Sequence, residues 1–266
     1  MSRTFKLTSP YMHGNDIARF QKDLNKRAKY RGLDTISVDK QYGPNTKDLY
    51  RQVAYYLGLP EKTIDKGATP YARRLIRNPK LRNPIQLARV EKRLEGLKKR
   101  DERKEAFVNW AISKVGVTEH PPGSNRGPDI DKWQLEFGRP YLGTPYCGSF
   151  AGYGLRHKAK INVGPGMPYT PNIKYYAETG TGGFHKGIVS YDNAQVGDIP
   201  LFKFPGVSSD PVDHTGVVVN IRPDGTVETV EANTSSDASK SQNNGGEVAR
   251  KVRPRSQFVG FARPRY

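Results

Sequence analysis

Apolar residues recur at helical spacing through the first 60 residues. They predict one amphipathic helix over residues 14–30 and a second that ends at Gly58. A Gly-Pro turn at residues 43–44 precedes the second helix, and Asn45 or Thr46 is expected to cap it. The predicted apolar faces consist of Ile17, Phe20, Leu24 and Ala28 in the first helix, and of Leu49, Val53 and Leu57 in the second.

The next stretch, residues 61–104, is basic and prone to form helices, although prolines interrupt its first part. A mixed-charge run at residues 98–105 favours a solvated helix or linker. A separate amphipathic helix is expected over residues 106–120, closing at Gly116. Leu87, Val90, Leu94 and Leu97 form the apolar stripe of the linker.

Short helices are expected at residues 129–137, after Cys147, and at residues 171–178. From about residue 187 the pattern changes from helical spacing to a period of two. Helices followed by an antiparallel sheet predict an α+β domain. The candidate strands are residues 199–204, 214–221, 226–231, 247–252 and 258–263.

Charge is distributed unevenly along the 266 residues. Residues 1–60, 61–105 and 106–266 carry net charges of +6, +8 and +4, out of a total of +18. This asymmetry indicates an anionic partner for the N-terminal half: nucleic acid, a membrane surface or an anionic wall polymer. The first ten residues lack the apolar core of a signal peptide, and no apolar run is long enough to span a membrane, so we expect synthesis in the cytoplasm.

The chain has a single cysteine, Cys147, which excludes an internal disulfide and a multi-cysteine zinc site. Small residues surround it and a helical run follows. A thiol at a helix N-terminus lies beside unpaired backbone N–H groups and the positive end of the helix dipole, both of which favour the thiolate. The alternative is a buried thiol that packs as a small hydrophobe.

Residues 222–225, Arg-Pro-Asp-Gly, predict a hairpin turn between the second and third strands. If Arg222 lies opposite Gly225, then His214, Glu231 and Asn233 project from one face. A change of one residue in the turn would reverse this arrangement.

Together with Cys147, these residues could supply a nucleophile, a base and an orienting group. The thiolate would attack an amide carbonyl, His214 would transfer the proton, and Glu231 or Asn233 would hold the ring. The Cys147 backbone N–H is a candidate oxyanion donor. A zinc site using Cys147 and His214 lacks any ligand-spacing motif, and no Asp-rich loop indicates calcium. The other histidines, His13, His120, His157 and His185, are expected to be structural or solvated.

The N-terminal region resembles a small three-helix peptidoglycan-binding domain. The resemblance lies in Gly14-Asn15-Asp16-Ile17-Ala18-Arg19-Phe20-Gln21-Lys22-Asp23-Leu24, Val38-Asp39 and Tyr42-Gly43-Pro44-Asn45-Thr46. It implies a wall-targeting module. The alternative is a helical subdomain in which the Gln and Asp of the motif are solvated.

The C-terminal region, from about residue 105, resembles a CHAP domain (cysteine, histidine-dependent amidohydrolase/peptidase), which has a papain-like fold. The resemblance implies catalytic roles for Cys147, His214, Glu231 and Asn233, and it implies neither a cofactor nor a metal here. Four blocks in one order carry it: Pro145-Tyr146-Cys147-Gly148-Ser149-Phe150-Ala151, Gly197-Asp198-Ile199-Pro200-Leu201-Phe202, Asp213-His214-Thr215-Gly216-Val217-Val218, and Glu231-Ala232-Asn233. Residues 258–264 resemble the family's closing strand.

The two resemblances in one chain are similar to the organisation of a bacteriophage endolysin. They imply a peptidoglycan-binding-like domain at residues 1–60, a basic helical linker at 61–104 and a CHAP catalytic domain at 105–266. The expected protein is a monomer that hydrolyses an amide in peptidoglycan, reaching the wall from the host cytoplasm through a holin-type lesion. Its partners would be peptidoglycan and anionic wall polymers, without nucleic acid or membrane insertion.

Other functions stay open at this point. A non-catalytic wall-binding or virion structural protein would keep the fold without using the site. A nucleic-acid-binding protein would bind DNA through residues 1–105 in a salt-sensitive way, but interleaved acids and few aromatics argue against it. A bacterial wall-remodelling amidase or endopeptidase is expected to carry a signal peptide. The sequence does not distinguish N-acetylmuramoyl-L-alanine amidase from endopeptidase, because both cleave an amide through a thioester.

Overall fold

The computed structural model describes residues 3–237 and 239–266. It divides into two compact units, Met1–Lys98 and Lys99–Tyr266. Each unit contains its own cluster of buried apolar residues. Within the described residues, no helix is long and apolar enough to cross a membrane.

The first unit is helical, and its opening helix forms as predicted. All four residues of the predicted apolar face of this helix are buried. They pack with aromatic rings of the unit; Phe20, for example, stacks on Tyr42 with 6.4 Å between ring centroids. The helices are α1 (Asn15–Lys29), α2 (Pro44–Tyr56), α3 (Glu61–Asp65), α4 (Pro70–Arg77) and the first part of α5 (Pro84–Ser113).

The start of α2 differs from the prediction. Pro44 is its first residue and Gly43 its cap, so the expected capping by Asn45 or Thr46 is wrong. Proline suits this position because the N–H that it lacks would have no helical partner there. Thr46 is instead buried, and its hydroxyl accepts a hydrogen bond from Gln21 at 3.0 Å.

The predicted linker, residues 61–104, differs from the structure in its first part. Ile64, Ala72, Leu75 and Ile76 belong to the core of the first unit. The prolines separate short helices that fold back onto α1 and α2, rather than interrupting a solvated segment. The predicted boundary at residue 60 therefore cuts through this core.

Helix α5 is continuous over 30 residues, so the separate helix predicted at residues 106–120 is wrong. The mixed-charge run is made of strong helix formers and continues the helix instead of ending it. The helix ends at Ser113, before the predicted Gly116. Of the predicted apolar stripe, Val90 is buried, whereas Leu87 and Leu94 are about 40% exposed.

The second unit combines helices with two small antiparallel sheets, which confirms the α+β prediction. The strand orders are β2-β1-β6 and β3-β4-β5. Among the described residues, the second part of α5 and three further α-helices precede the strands: α6 (Pro128–Leu135), α7 (Cys147–His157) and α8 (Thr170–Thr179). The strands are β1 (Ile199–Phe202), β2 (His214–Thr215), β3 (Val217–Ile221), β4 (Val227–Thr234), β5 (Glu247–Val252) and β6 (Phe258–Ala262).

The strand predicted over residues 214–221 is two strands in the structure. The chain leaves one sheet and enters the other at Gly216, where a β-carbon would lie 2.7 Å from both the Glu231 Cγ and the Val230 carbonyl oxygen. Glycine is required here because any side chain would collide with β4. As a result His214 lies in one sheet and Glu231 in the other.

Candidate active site

Helix α7 carries the only cysteine at its first position, as predicted, with Tyr146 as the cap. The helix is buried from Cys147 to Leu155. Small residues allow this: a β-carbon at Gly148 would lie 2.3 Å from the Met167 carbonyl oxygen. The helix is therefore packed inside the core, with Cys147 as its first residue.

Cys147 borders an open cleft with a volume of about 400 Å³. Its side chain is 4% exposed, so the thiol is reached only through this cleft. Prolines and tyrosines form much of the wall, and two carboxylates, Asp210 and Asp213, lie in it. The lining residues are Pro140, Tyr141, Thr144, Pro145, Cys147, Pro168, Tyr169, Thr170, Val207, Ser208, Asp210, Asp213 and Asn243.

The ring of His214 is buried behind the cleft and bonded to a carboxylate. His214 Nε2 lies 3.0 Å from Glu231 Oε2, and both side chains are fully buried. Within the described residues, Nδ1 of the ring makes no hydrogen bond. Helix α7 packs against β2 and β4, which carry these two residues.

The predicted hairpin brings His214 and Glu231 together. Its turn forms at residues 222–225 as predicted, where the Gly225 N–H donates to the Arg222 carbonyl at 2.9 Å, but the pairing next to the turn differs. Arg222 lies opposite Thr226 rather than Gly225. A shift of one residue in the register between Val218 and Asn220 offsets this difference. Beyond the shift, β3 and β4 pair in the predicted register, so Glu231 reaches the ring.

Charge interactions hold this buried pair in its ionised form. Burial disfavours a charged imidazole, but Cys147 and Glu231 together outweigh it and raise the pKa of His214 to about 9. Burial likewise disfavours the carboxylate, but His214 and Arg253 outweigh it and lower the pKa of Glu231 to about 2. At neutral pH the ring is therefore protonated and faces an ionised carboxylate.

Residues 139–233 match the family model of the CHAP domain. The second unit thus contains a CHAP domain. The match covers Cys147, His214, Glu231 and Asn233. A CHAP domain implies a cysteine- and histidine-dependent hydrolase of the amidase or peptidase type that acts on peptidoglycan. No curated protein and no solved structure matches the chain.

The CHAP site has a member that the sequence prediction missed, Arg253. Its Nη2 donates to Glu231 Oε2 at 2.6 Å and its Nε donates to Oε1 at 3.2 Å. The guanidinium is itself buried and lies 5.0 Å from the ring centroid of Phe204. Thr229 completes the set by donating its hydroxyl to Oε1 at 2.7 Å. Three side chains therefore hold the Glu231 carboxylate: those of His214, Thr229 and Arg253.

Asn233 lies in the CHAP domain near the predicted pair but does not hold the ring. It is buried at a positive φ of 59°, and its amide donates to the Asn243 carbonyl at 3.1 Å. No hydrogen bond joins it to His214 among the described residues, and its Oδ1 has no partner there. The structure thus brings Cys147, His214 and Glu231 together and leaves the Asn233 amide aside.

Tyr146 is fully buried and does not line the cleft. Burial and the nearby Glu119 carboxylate raise the pKa of its hydroxyl, which lies against the backbone of Asn233. Its hydroxyl is therefore not placed to contact a molecule in the cleft.

The remaining histidines lie outside the CHAP site. For example, Nε2 of His157, the last residue of α7, lies 2.7 Å from Oε2 of Glu136. In the part of the chain that the structure describes, no three His, Cys, Asp or Glu side chains converge as a metal site.

Proposed function

We propose that the protein is a phage endolysin-type peptidoglycan hydrolase that cleaves an amide bond through a cysteine thioester. The observation that carries this proposal is the buried His214–Glu231 pair behind the cleft bordered by Cys147. A nucleophile, a proton carrier and a carboxylate that holds that carrier are the parts that thiol-based amide hydrolysis requires.

In the proposed first half-reaction, the Cys147 thiolate attacks the carbonyl carbon of the scissile amide. The protonated His214 ring then gives its proton to the nitrogen of the leaving amine as the C–N bond breaks. The pKa of about 9 supports this role, since the ring carries that proton at neutral pH. The product is a thioester on Cys147 and a free amine.

In the second half-reaction, neutral His214 takes a proton from water, and the resulting hydroxide attacks the thioester carbonyl. The C–S bond breaks, the product leaves as a carboxylic acid that releases its proton to water, and the thiolate–imidazolium pair is restored. In both halves the carbonyl oxygen becomes negative near the start of α7. The backbone N–H of Cys147 is the donor that we assign to it.

Glu231 acts in this scheme as a positioning residue for His214. Its negative charge stabilises the imidazolium, and its bond to Nε2 directs Nδ1 towards the thiol. Arg253 and Thr229 in turn fix the carboxylate. A buried helix with the thiol at its start, packed on strands that carry the ring, supports a papain-like arrangement.

We assign wall targeting to the N-terminal unit. Its first 60 residues carry the peptidoglycan-binding-like motif, and the chain up to residue 105 holds most of the positive charge. An enzyme of this kind would be made in the host cytoplasm, pass a holin-type lesion and act on the wall as a monomer. Host lysis is the proposed outcome.

The deciding experiment is mass spectrometry of purified peptidoglycan digested by the wild type and by Cys147→Ala. We expect new amino termini or released stem peptides with the wild type alone, and their masses would identify the cleaved bond. Walls unchanged by the wild type, across several wall chemistries, would contradict hydrolysis and favour a binding or structural protein.

A further inference from the structure

The N-terminal unit contains a cavity of about 210 Å³. Its lining combines apolar, aromatic and cationic residues. Val53, Leu57 and Pro79 are the apolar ones. Its full lining is Arg27, Tyr30, Arg31, Val53, Tyr56, Leu57, Pro79 and Arg82.

Three arginines line this cavity, and no Asp or Glu of the described residues lines it. Three like charges around one small space repel one another unless an anion joins them. Their convergence therefore indicates an anionic ligand. Guanidinium groups suit this role, since their planar forks match carboxylate and phosphate oxygens in a bidentate manner.

Two of the three arginines are held in place by backbone carbonyls. Arg27 donates to the Ile76 carbonyl at 2.7 Å and to that of Arg77 at 2.6 Å. Arg82 donates from Nε to the Pro79 carbonyl at 2.9 Å. Among the described residues, no hydrogen bond is found for Nη1 of Arg27 or for either terminal nitrogen of Arg82, so these donors can bind a ligand. The donors are thus ordered before anything binds, which lowers the entropic cost of binding.

Two tyrosines add a flat, partly apolar surface beside the charges. Arg31 stacks over the ring of Tyr56, with 5.4 Å from the guanidinium carbon to the ring centroid. Tyr30 is 75% exposed, whereas four other aromatic residues of the unit, Phe5, Phe20, Tyr42 and Tyr50, are buried. An exposed ring offers an apolar face and a polar edge to a partner. Such a surface fits a ring-shaped group, such as a sugar, next to an acidic group.

We propose that this cavity, here named the arginine–tyrosine pocket, binds an acidic group on a cell-wall glycan. The ligand class is a carboxylate or phosphate attached to, or directly beside, a sugar ring. In a wall, the acid could be the carboxylate of a muropeptide or the phosphodiester of an anionic wall polymer. This inference rests on the proposed wall-targeting role of the N-terminal unit, and it locates that role at a defined site.

The test uses the full chain with Cys147→Ala, so that binding is measured without hydrolysis. Binding of this protein to purified walls is compared with that of two further variants made in the same background. Arg31→Gln with Arg82→Gln removes two charges from the pocket. Arg19→Gln with Arg74→Gln is the matched control, since it removes two charges from exposed arginines of the same unit that do not line the pocket.

We expect the pocket variant to bind walls at least tenfold more weakly, and the control variant to lose less than threefold. Soluble N-acetylmuramic acid or inorganic phosphate should compete with binding of the parent protein. Equal losses in both double variants would overturn the pocket, because diffuse charge alone would then explain binding. If the parent protein fails to bind walls at all, the proposed targeting role itself is wrong.

Walls stripped of phosphodiester polymers distinguish the two sources of the acid. Pocket-dependent binding that persists on stripped walls identifies the muropeptide carboxylate, whereas its loss identifies the polymer phosphate. Duplex DNA is the competing macromolecule. If DNA binds the parent protein as tightly as walls do and loses affinity in the same pocket variant, a wall-specific site is refuted.

Discussion

The two units each bury a cluster of polar side chains, and the clusters differ in charge and in completeness. In the N-terminal unit, the neutral Gln21 amide donates to Asp39, Gln41 and Thr46 and accepts from the Lys40 N–H. Each polar atom of that side chain is satisfied. In the CHAP domain, the charged Glu231 is equally well satisfied, but the ring that it holds keeps Nδ1 without a hydrogen bond among the described residues.

This difference separates a structural network from a reactive one. Burying a polar group costs free energy unless the group is hydrogen-bonded, so a structural cluster is expected to contain no unpaired donor or acceptor. The Gln21 cluster follows that rule and ties α1 to the turn before α2. The His214 cluster departs from it at the ring Nδ1, the atom at which the proposed mechanism transfers a proton.

The largest expected effect tests the charged cluster. Glu231→Gln should lower hydrolysis about 10⁴-fold, because the ring loses the carboxylate that sets its tautomer and stabilises its charge. It should also lower the free energy of unfolding by about 3–5 kcal/mol, since Arg253 is left buried without its ion-pair partner. Turnover of purified walls and urea unfolding would measure the two effects.

Glu228→Gln is the matched control, because Glu228 lies on the same strand and pairs with arginines near the surface. It should change activity little and cost at most about 1 kcal/mol. Similar losses of activity in the two variants would show that the charged cluster has no special role.

A smaller effect is expected at Arg253. Arg253→Met removes a charge that lowers the pKa of Glu231, so that pKa should rise and the acid limb of the pH–rate profile should move to higher pH. Activity should fall about tenfold to a hundredfold, and more at acidic than at neutral pH. Arg250→Met, on the exposed side of β5, is the control. If activity falls equally at every pH and the acid limb of the pH–rate profile does not move, Arg253 supports only the fold.

The neutral cluster should respond in stability alone. Gln21→Leu should lower the free energy of unfolding of the N-terminal unit by about 1–3 kcal/mol, because the Lys40 N–H and its other partners lose their bonds. Both tryptophans, Trp110 and Trp133, lie in the second unit. Circular dichroism should therefore report the loss while tryptophan fluorescence does not.

Gln52→Leu, at an exposed position of α2, is the control for this variant and should be nearly neutral. Reduced cleavage of a soluble muropeptide by Gln21→Leu would show that the two clusters are not separate in function.

The smallest expected effect concerns the pH dependence of the ring. A pKa raised from 6.5 to about 9 in the folded state stabilises the fold fully below pH 6.5, and this stabilisation is lost as the pH rises through about 9. In Cys147→Ala the pKa of His214 should be lower, so less stability should be lost over that interval. NMR titration of the His214 ring would measure its pKa, and the urea midpoints of unfolding at pH 6.5 and at about pH 9 would measure the loss of stability. An unchanged pKa would mean that the thiol does not contact the ring.

The sequence predicted those parts of the site that depend on local signals. The helix after Cys147 follows from small and apolar residues next to a turn, and the pairing of β3 with β4 follows from a short hairpin. That pairing was right for a partly wrong reason, because an unexpected register shift compensated for the unexpected pairing of Arg222 with Thr226.

Arg253 could not be predicted, because a long connection separates β4 from β5 and leaves their register unspecified in the sequence. The role expected of Asn233 depended on side-chain direction, which a positive φ changes and alternation does not reveal. In the N-terminal half, prolines and charge indicated a linker at residues 61–104, whereas apolar contacts with α1 and α2 draw its first part into the core.

The break at Gly216 makes the His214–Glu231 pair depend on both sheets of the CHAP domain. His214 lies in one sheet and Glu231 in the other, so the bond between them joins the two sheets. Opening either sheet would part the ring from its carboxylate before the rest of the fold was lost. We therefore expect heat inactivation to coincide with hydrogen exchange at the seam of the two sheets, ahead of exchange in the buried helix α7.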